Sequence, residues 1–540
     1  MSKINLLDCT LREAPIKDLI LGSDYIQKFI NALEKSNIDI IECGFLKDSG
    51  DREDNTIFRH TEDIERYLTN KKPDTLYVAL VDYGRYDLKN LSPFNGKSID
   101  GIRICFKKSE RKDVIPYAKA IKALGYKVFL QHVDTLSYSD LEILELLEAV
   151  NELKPYAYSL VDTFGSMYAE DLRHLFEIAN RNLDKDIRLG FHAHNNLMLA
   201  VANSQFFISL ASHTREIMVD ASVLGCGRGA GNSNTELLAE FINKKYNGHY
   251  NLNELLDIID TLMPKFHQNC HWGYSIPYFL SGVHNAHVFN VNHLLRRHNI
   301  QSKDLRAIIE NLDDVQKKKY DYAVLEKLYV EHFDRQVDDK KNIEELTNLV
   351  KDKKVLFIAP GASLSSKKQE IFNFIRQENT FVVAINNYLP DFPADAIFFS
   401  NMNRYQDYRA TQGKSSVNKI FVTSNVKTEA DTNEMIFNYL PLIKFGWINI
   451  DTSFILALRL FIKAGVKEFT FAGFDGFSAD EEKFYYSDKL LTATEKEDLI
   501  LLTKETHEVL ADIIKSDNIT AKFLTPSVYE AEFAKETANV

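Results

Sequence analysis

The chain has 540 residues, too many for one ordinary hydrophobic core, so two or three domains are expected. Its formal charge of −12 argues against a general nucleic-acid binder, which would carry a basic footprint, but leaves room for a local basic pocket. No stretch reaches the roughly 18 apolar residues that a membrane span needs, and Met1–Asp8 has no signal-type apolar run. The five cysteines (9, 43, 105, 226 and 270) show no metal-type spacing. A cytoplasmic protein with free thiols is expected.

In the first 225 residues short apolar runs alternate with amphipathic helical patterns. The runs are Ile4–Thr10, Ile38–Phe45, Leu76–Val81, Gly101–Phe106, Lys127–Val133, Tyr156–Asp162, Arg188–His194 and Glu216–Ser222. Helical patterns between them include Ser23–Ser36, Asp113–Leu124, Ser139–Glu152, Ala169–Asn182 and Leu197–Ala211. This rhythm fits a (β/α)8 barrel or a doubly wound sheet. Polar groups at the ends of several different runs (Arg12 and Glu13, Glu42, Gln131 and His132, Asp162, His192 and His194, Asp220) favour the α/β TIM barrel. The expected division is a barrel over 1–248, a helical extension and linker over 249–350, and a Rossmann-like α/β domain over 351–540. Within the extension the patterns Asn253–Met263, Tyr278–His298, Ser302–Asn311 and Tyr322–Phe333 read as helices. The lysine cluster 317–319 and the polar run 334–341 read as solvated faces or connectors.

His192 and His194 lie two apart, so on a strand both imidazoles leave one face. With the Glu13 carboxylate from the first strand they would make a three-ligand metal site open to substrate. The plainer reading is two satisfied polar residues at a sheet rim. A divalent ion there would bind the carboxylate and keto oxygens of a 2-oxo acid and stabilise its enolate. Arg12 would face the oxygen that gains charge; the plainer reading of Arg12-Glu13 is a rim ion pair. In Gly225-Cys-Gly-Arg-Gly-Ala-Gly-Asn232 the glycines let backbone approach a ligand closely, and Asn232 is an additional candidate ligand.

The segments Asp8-Cys-Thr-Leu-Arg-Glu13, Gly190-Phe-His-Ala-His-Asn-Asn196 and Val219-Asp-Ala-Ser…Gly229-Ala-Gly-Asn232 resemble the DRE-TIM metallolyase (HMG-CoA-lyase-like) superfamily. Within it the flanks of the histidine pair and Asn203-Ser204 are most similar to 4-hydroxy-2-oxovalerate aldolase. The resemblance implies Glu13, His192, His194 and Asn232 as ligands of Mn²⁺, Mg²⁺ or Zn²⁺, and Arg12 as the enolate-stabilising residue. It also brings Tyr278 near the catalytic tyrosine of the aldolase branch. The chain departs from that family at Glu13, commonly Asp; at Ala14, commonly Gly; and at Ile16, where the aldolase branch has its base histidine. His132 is taken as the substitute base, against a reading as a structural histidine.

In the C-terminal part Val355–Ala359, Phe381–Ile385, Ala396–Ser400, Lys419–Thr423, Glu468–Ala472 and Ala521–Leu524 read as strands. Thr452–Ala464 and Leu499–Lys515 read as helices between them. The turn Pro360-Gly-Ala-Ser-Leu364 precedes a helix, where amides would hold a phosphate or Ser363 would simply cap. Gly361, Ser363, Asn386, Asn387 and Asp475 are the candidate nucleotide-binding residues, with Asn401 and Asn403 as further polar strand ends. The pattern resembles bacterial sialyltransferases and pterin-diphosphokinase-like Rossmann domains, which implies a nucleotide-sugar ligand; the sialyltransferase histidine has no counterpart beyond His507.

The sequence therefore points to a metal-dependent aldolase acting on a 2-oxo acid such as pyruvate and an aldehyde. That enzyme is fused to a nucleotide-sugar-binding or transferase domain of surface-polysaccharide biosynthesis, and assembles as a homo-oligomer. The alternatives are a Claisen-type acyl-CoA synthase with a regulatory C-terminal domain, or a scaffold barrel with a ligand-binding domain.

Overall fold

A computed structural model describes residues 3–14, 19–50, 55–269, 271–295, 300–377, 379–412, 417–428, 433–477 and 496–531. The chain divides into two compact units, residues 1–291 with 312–320, and residues 292–311 with 321–540.

The first unit is built on nine strands: β1 (Ile4–Asp8), β2 (Ile40–Leu46), β3 (Ile57–Phe58), β4 (Leu76–Asp82), β5 (Gly101–Phe106), β6 (Lys127–His132), β7 (Ala157–Asp162), β8 (Arg188–Ala193) and β9 (Ile217–Ala221). Their order is β1-β9-β8-β7-β6-β5-β4-β2-β3, and β1 also pairs with β2. Eight parallel strands thus close into a barrel, with β3 as a short tag beside β2. The tag is absent from the sequence reading because two residues carry no periodicity.

Alternation along each strand splits the core in two. One set of apolar side chains, including Leu7, Ile40, Val78, Phe129, Ala157 and Met218, plugs the lumen. The opposite set, such as Ile102, Ile104, Val128, Leu130 and Leu189, packs against the surrounding helices. Those helices follow the apolar periodicity closely: Ser23–Lys35, Val114–Ala123, Asp140–Leu153, Ala169–Asn182 and Ala200–Ala211.

Three differences from the sequence reading have local causes. The first strand stops at Asp8, whose carboxylate accepts from the Thr10 amide (3.0 Å) and the Thr235 hydroxyl (2.6 Å) and turns the chain into the short helix Thr10–Glu13. The stretch read as one helix from Tyr278 is broken: Ile276–Val283 and Val288–Leu295 are separated by a turn with Asn285 at φ +49°. The lysine cluster is partly engaged, since Lys318 pairs with Asp134 at 2.8 Å and the Lys317 carbonyl accepts from the His287 amide.

The second unit carries helices Ser302–Glu310, Tyr322–Phe333 and Lys340–Val350, the last starting at the end of the polar run 334–341. Its sheet comprises β10 (Lys354–Ile358), β11 (Thr380–Ile385), β12 (Ala396–Phe399), β13 (Lys419–Thr423), β14 (Glu434–Phe437), β15 (Glu468–Ala472) and β16 (Thr520–Phe523). All neighbours are parallel in the order β14-β13-β12-β11-β10-β15-β16. The direction of winding reverses beside β10, which makes the β10–β15 crevice the switch point. The edge strand β14 escapes sequence reading because it is short and half exposed, with Glu434 bonded to Tyr405 and Arg409.

Cys9, Cys43 and Cys226 are buried thiols and Cys105 is half-buried; Cys270 and Ile16 lie outside the described residues. Among the described residues no helix is long and apolar enough to cross a membrane.

Candidate active site

The lumen plug ends in a layer of charge. Arg103 from β5 is fully buried and pairs with Glu42 of β2 (2.8 Å) and with Asp220 of β9. Gln131 of β6 lies against both Arg103 and Asp220. The helical turn after β1 brings in Arg12, whose Nε donates to Glu42 Oε2 at 3.0 Å and whose Nη1 pairs with Glu13 Oε1. Among the described residues this buried layer holds the carboxyl groups of Glu13, Glu42 and Asp220 and the guanidinium groups of Arg12 and Arg103. Burial opposes ionisation of Asp220, but Arg103 and His192 overcome it and hold its carboxyl below the ordinary value. Burial would likewise discharge Arg12, yet Glu13, Cys9 and Glu42 hold its proton more tightly than usual.

His192 of β8 faces the lumen. Its Nδ1 lies 3.0 Å from Asp220 Oδ2, so the ring donates there and turns the Nε2 lone pair outward. His194, just beyond the strand, forms an isolated bridge with Asn232. The two Nε2 atoms are 3.3 Å apart. Burial, and then His192, Arg228, Arg12 and His287, push the His194 imidazole well below its ordinary value, so it is neutral.

Asn232 joins the two halves of this set. Its Nδ2 donates to Glu13 Oε1 (3.2 Å) and to the Cys226 carbonyl (2.9 Å). Asn232 Oδ1 and Glu13 Oε2 remain buried oxygens without a hydrogen-bond partner. The loop that carries Asn232 is tightly constrained: Gly231 sits at φ +96°, and a Cβ there would fall 2.0 Å from the Gly225 carbonyl. The Ser204 and Ser233 hydroxyls (2.8 Å) lock its far end.

Among the described residues no three His, Cys, Asp or Glu side chains gather into a metal cluster. The donor set here is mixed: two imidazoles, one carboxylate oxygen and one carboxamide oxygen. Two imidazole nitrogens 3.3 Å apart and two partnerless buried oxygens, on Glu13 and Asn232, are the donor types of N/O coordination.

His132 is not brought to this layer. Its neighbour Gln131 points into the lumen, so His132 points out, stacked on Tyr158 (4.9 Å) with Tyr138 edge-on (5.0 Å). Burial lowers its pKa to about 3. Tyr278 is half-buried in the first turn of helix Ile276–Val283. One turn later Gly282 approaches so closely that a Cβ would lie 3.0 Å from Leu197 and 3.2 Å from Asn196. Gly282 therefore packs on the turn that follows the histidine pair, and Tyr278 lies one turn before it on the same helix.

Arg103 escaped the sequence reading because one charge inside an apolar run looks like a surface position; its signal is the lack of any break in the strand pattern around it. Arg228 and His287 were also missed, and both act electrostatically on His194.

Asp162, at the end of β7, accepts from the amides of Ser166 (2.9 Å) and Met167 (3.2 Å), yet burial raises its carboxyl to about 7. A raised folded-state value means that its stabilising contribution is complete below the ordinary 3.8 and is lost as pH rises through about 7. Asp162→Asn is expected to flatten thermal stability across that window; a melting profile as steep as the parent's would contradict it.

In the second unit Gly361, Ser363 and Asp475 meet at the switch point. Ser363 donates its amide (2.8 Å) and its hydroxyl to the Asp475 carboxylate, and the Gly361 amide donates to the Gly473 carbonyl (3.0 Å). The seat expected for a phosphate is thus taken by the chain's own carboxylate. Asn386, at φ +59°, donates to Ser453, which also meets Ser400. The Asn387 amide bonds back to Ile385.

Residues 3–262 match the family model described as HMGL-like. This part of the chain is an HMGL-like domain. The chain is 25% identical over 297 residues to an oxaloacetate decarboxylase of Mycobacterium tuberculosis, covering 54% of this chain and 84% of that protein. It is 24% identical over 315 residues to 4-hydroxy-2-oxovalerate aldolase 2 of Salinispora arenicola, covering 56% and 87%. Among solved structures, the HMG-CoA lyase of Bacillus subtilis aligns at 17% identity with a TM-score of 0.40, covering 49% of this chain and 94% of that one. The Arg12–Glu13, His192–His194 and Asn232 positions all fall inside the HMGL-like domain.

Proposed function

We propose that the HMGL-like domain is a divalent-metal aldolase that forms or cleaves a carbon–carbon bond beside the carbonyl of a 2-oxo acid such as pyruvate. The observation that carries this reading is the pair of imidazole nitrogens 3.3 Å apart, with His192 oriented by Asp220. Two relatives whose names specify 2-oxo acid substrates support it. Glu13, His192, His194 and Asn232 would hold Mn²⁺, Mg²⁺ or Zn²⁺, which when bound supplies Lewis acidity toward the carboxylate and keto oxygens of the substrate.

Arg12 does the complementary work. Glu13 and Glu42 fix its guanidinium, so it meets negative charge on the keto oxygen without first having to reorganise. The buried charge layer excludes water from that oxygen and strengthens the contact. With His132 turned toward the helices, Tyr278 is the retained candidate for donating a proton to the alkoxide at the new bond. Its place one turn before Gly282, which packs on Asn196 and Leu197, supports that role.

Pyruvate methyl-proton exchange in D₂O, followed by NMR, tests the reading. Exchange is expected with added Mn²⁺, and EDTA should abolish it. Exchange indifferent to EDTA, or none with any of the three metals, would sink the aldolase reading and favour a scaffold barrel.

For the second unit we infer a nucleotide or nucleotide-sugar ligand at the β10–β15 crevice, the basis for any transferase role in polysaccharide assembly. The convergence of Gly361, Ser363 and Asp475 supports it. Asp475→Ala is expected to free the Ser363 amide and tighten CMP binding measured by calorimetry. Weaker binding would mean that Asp475 itself receives a ligand hydroxyl; no binding by either form would end the inference.

A further inference from the structure

The buried charge layer has a centre. On β5 the apolar residues Ile102 and Ile104 pack toward the helices, so Arg103 between them points into the lumen. Gly101, two residues earlier on the same face, would place a Cβ 2.7 Å from the Phe129 ring, so that ring occupies the lumen there. The Arg103 guanidinium meets the acids of two other strands instead. Its Nη1 pairs with Glu42 Oε1 of β2 at 2.8 Å, and its Nη2 donates to Asp220 Oδ2 of β9. A planar fork serves two carboxylates at once in a fixed relative placement, which a single flexible ammonium does not.

Each of those acids also holds a residue of the candidate active site. Glu42 Oε2 accepts from Arg12 Nε at 3.0 Å, and Asp220 Oδ2 accepts from His192 Nδ1 at 3.0 Å. The oxygen that holds His192 is thus the same atom that Arg103 holds, while Asp220 Oδ1 is buried without a hydrogen-bond partner. Arg12, Glu42, Arg103, Asp220 and His192 form one continuous line of contacts, from the turn after β1 across the lumen to β8. Stability alone does not call for such a line, since apolar side chains of similar volume often serve a core as well. Its two ends are the guanidinium and the imidazole that the aldolase reading uses, and its middle member is fully buried.

We propose that Arg103 is a positioning residue for the carbon–carbon bond chemistry of the barrel. It sets Arg12 through Glu42 and His192 through Asp220, so that the enolate-facing guanidinium and the metal-facing imidazole keep one relative placement. This role rests on the aldolase reading for what Arg12 and His192 do. A site whose charged groups are already placed spends no free energy on reorganising them as the enolate forms.

Two measurements on the full chain read the two arms. Mn²⁺ titration followed by electron paramagnetic resonance reads the His192 arm without turnover. Pyruvate proton exchange at saturating Mn²⁺ and pyruvate reads the Arg12 arm. Arg103→Lys keeps the buried positive charge but loses the fork. It should weaken Mn²⁺ binding and slow exchange by about 10-fold each, the lower end of the range for residues that orient a ligand from behind. In an Asp220→Asn background the same substitution should change Mn²⁺ affinity by less than about 2-fold, because that path is already cut. In a Glu42→Gln background it should change exchange by equally little. Losses that multiply in both backgrounds, or parent-like binding and exchange in Arg103→Lys, would overturn the proposal and leave Arg103 a structural counter-charge. Should urea unfolding show that Arg103→Lys does not fold, the double variant Glu42→Gln with Asp220→Asn decides with Arg103 in place. Coupled losses of exchange support the line of contacts, and independent losses break it. No Mn²⁺ bound by the parent would also overturn the proposal. Coupled losses of Mn²⁺ affinity in a chain that never exchanges pyruvate would remove the aldolase reading and keep the link from Arg103 to His192. Intact exchange with independent losses would remove the role of Arg103 alone.

Discussion

Arg103→Met is expected to destabilise the first unit by about 3–5 kcal/mol, the cost of removing one partner from a buried charge network. Glu42 and Asp220 are both essentially inaccessible to water. Without Arg103, among the described residues the Asp220 carboxylate keeps His192 and Glu42 keeps Arg12. Neither acid can recover hydration inside the lumen, so the penalty falls on the folded state. Arg85→Met is the matched control: its pair with Asp82 is 3.6 Å long and largely solvated, and should be worth less than about 1 kcal/mol. Urea unfolding of the three proteins measures both. Similar midpoints for the two variants would show that the barrel charges are hydrated after all.

His192→Ala should slow metal-supported pyruvate proton exchange by at least about 10³-fold, because the Lewis acid contributes several kcal/mol. The reasoning is geometric: the variant loses one of two converging nitrogens and the ring nitrogen that bonds Asp220. Asp220→Asn should have a smaller effect, about 10–100-fold in Mn²⁺ affinity or rate, as expected when the residue orienting a ligand is changed. Mn²⁺ binding followed by electron paramagnetic resonance separates loss of the ion from loss of turnover. Parent-like exchange by His192→Ala would remove the histidine pair from the chemistry.

The eight barrel strands were legible because each is a short apolar run between amphipathic helices, and burial on both faces leaves little room for another pattern. The His192–His194 pair was legible for a related reason: a two-residue spacing on a strand dictates a shared face. The same alternation misplaced His132. Its standing at a strand end was correct, but one position decides between lumen and helix layer, and only the paired register of β5, β6 and β7 settles which. Arg103 was hidden because its partners lie far along the chain, at Glu42 and Asp220. The Ser363 turn was recognisable as an anion seat, but its occupation by Asp475 depends on a contact spanning more than a hundred residues. No local pattern encodes such pairings.

Cylinder closure depends on the earliest strand lying between β9 and β2, with five rungs to the former and two to the latter. Ile217 follows its neighbour Ile4 out of the ribosome only after roughly 200 more residues. At ordinary elongation rates that is a wait of about ten to forty seconds. During synthesis the Arg12–Glu13 turn, which β1 carries, has no finished pocket to enter. The last act of assembly and the first moment of catalytic competence therefore coincide, and any truncation that removes β9 forfeits both.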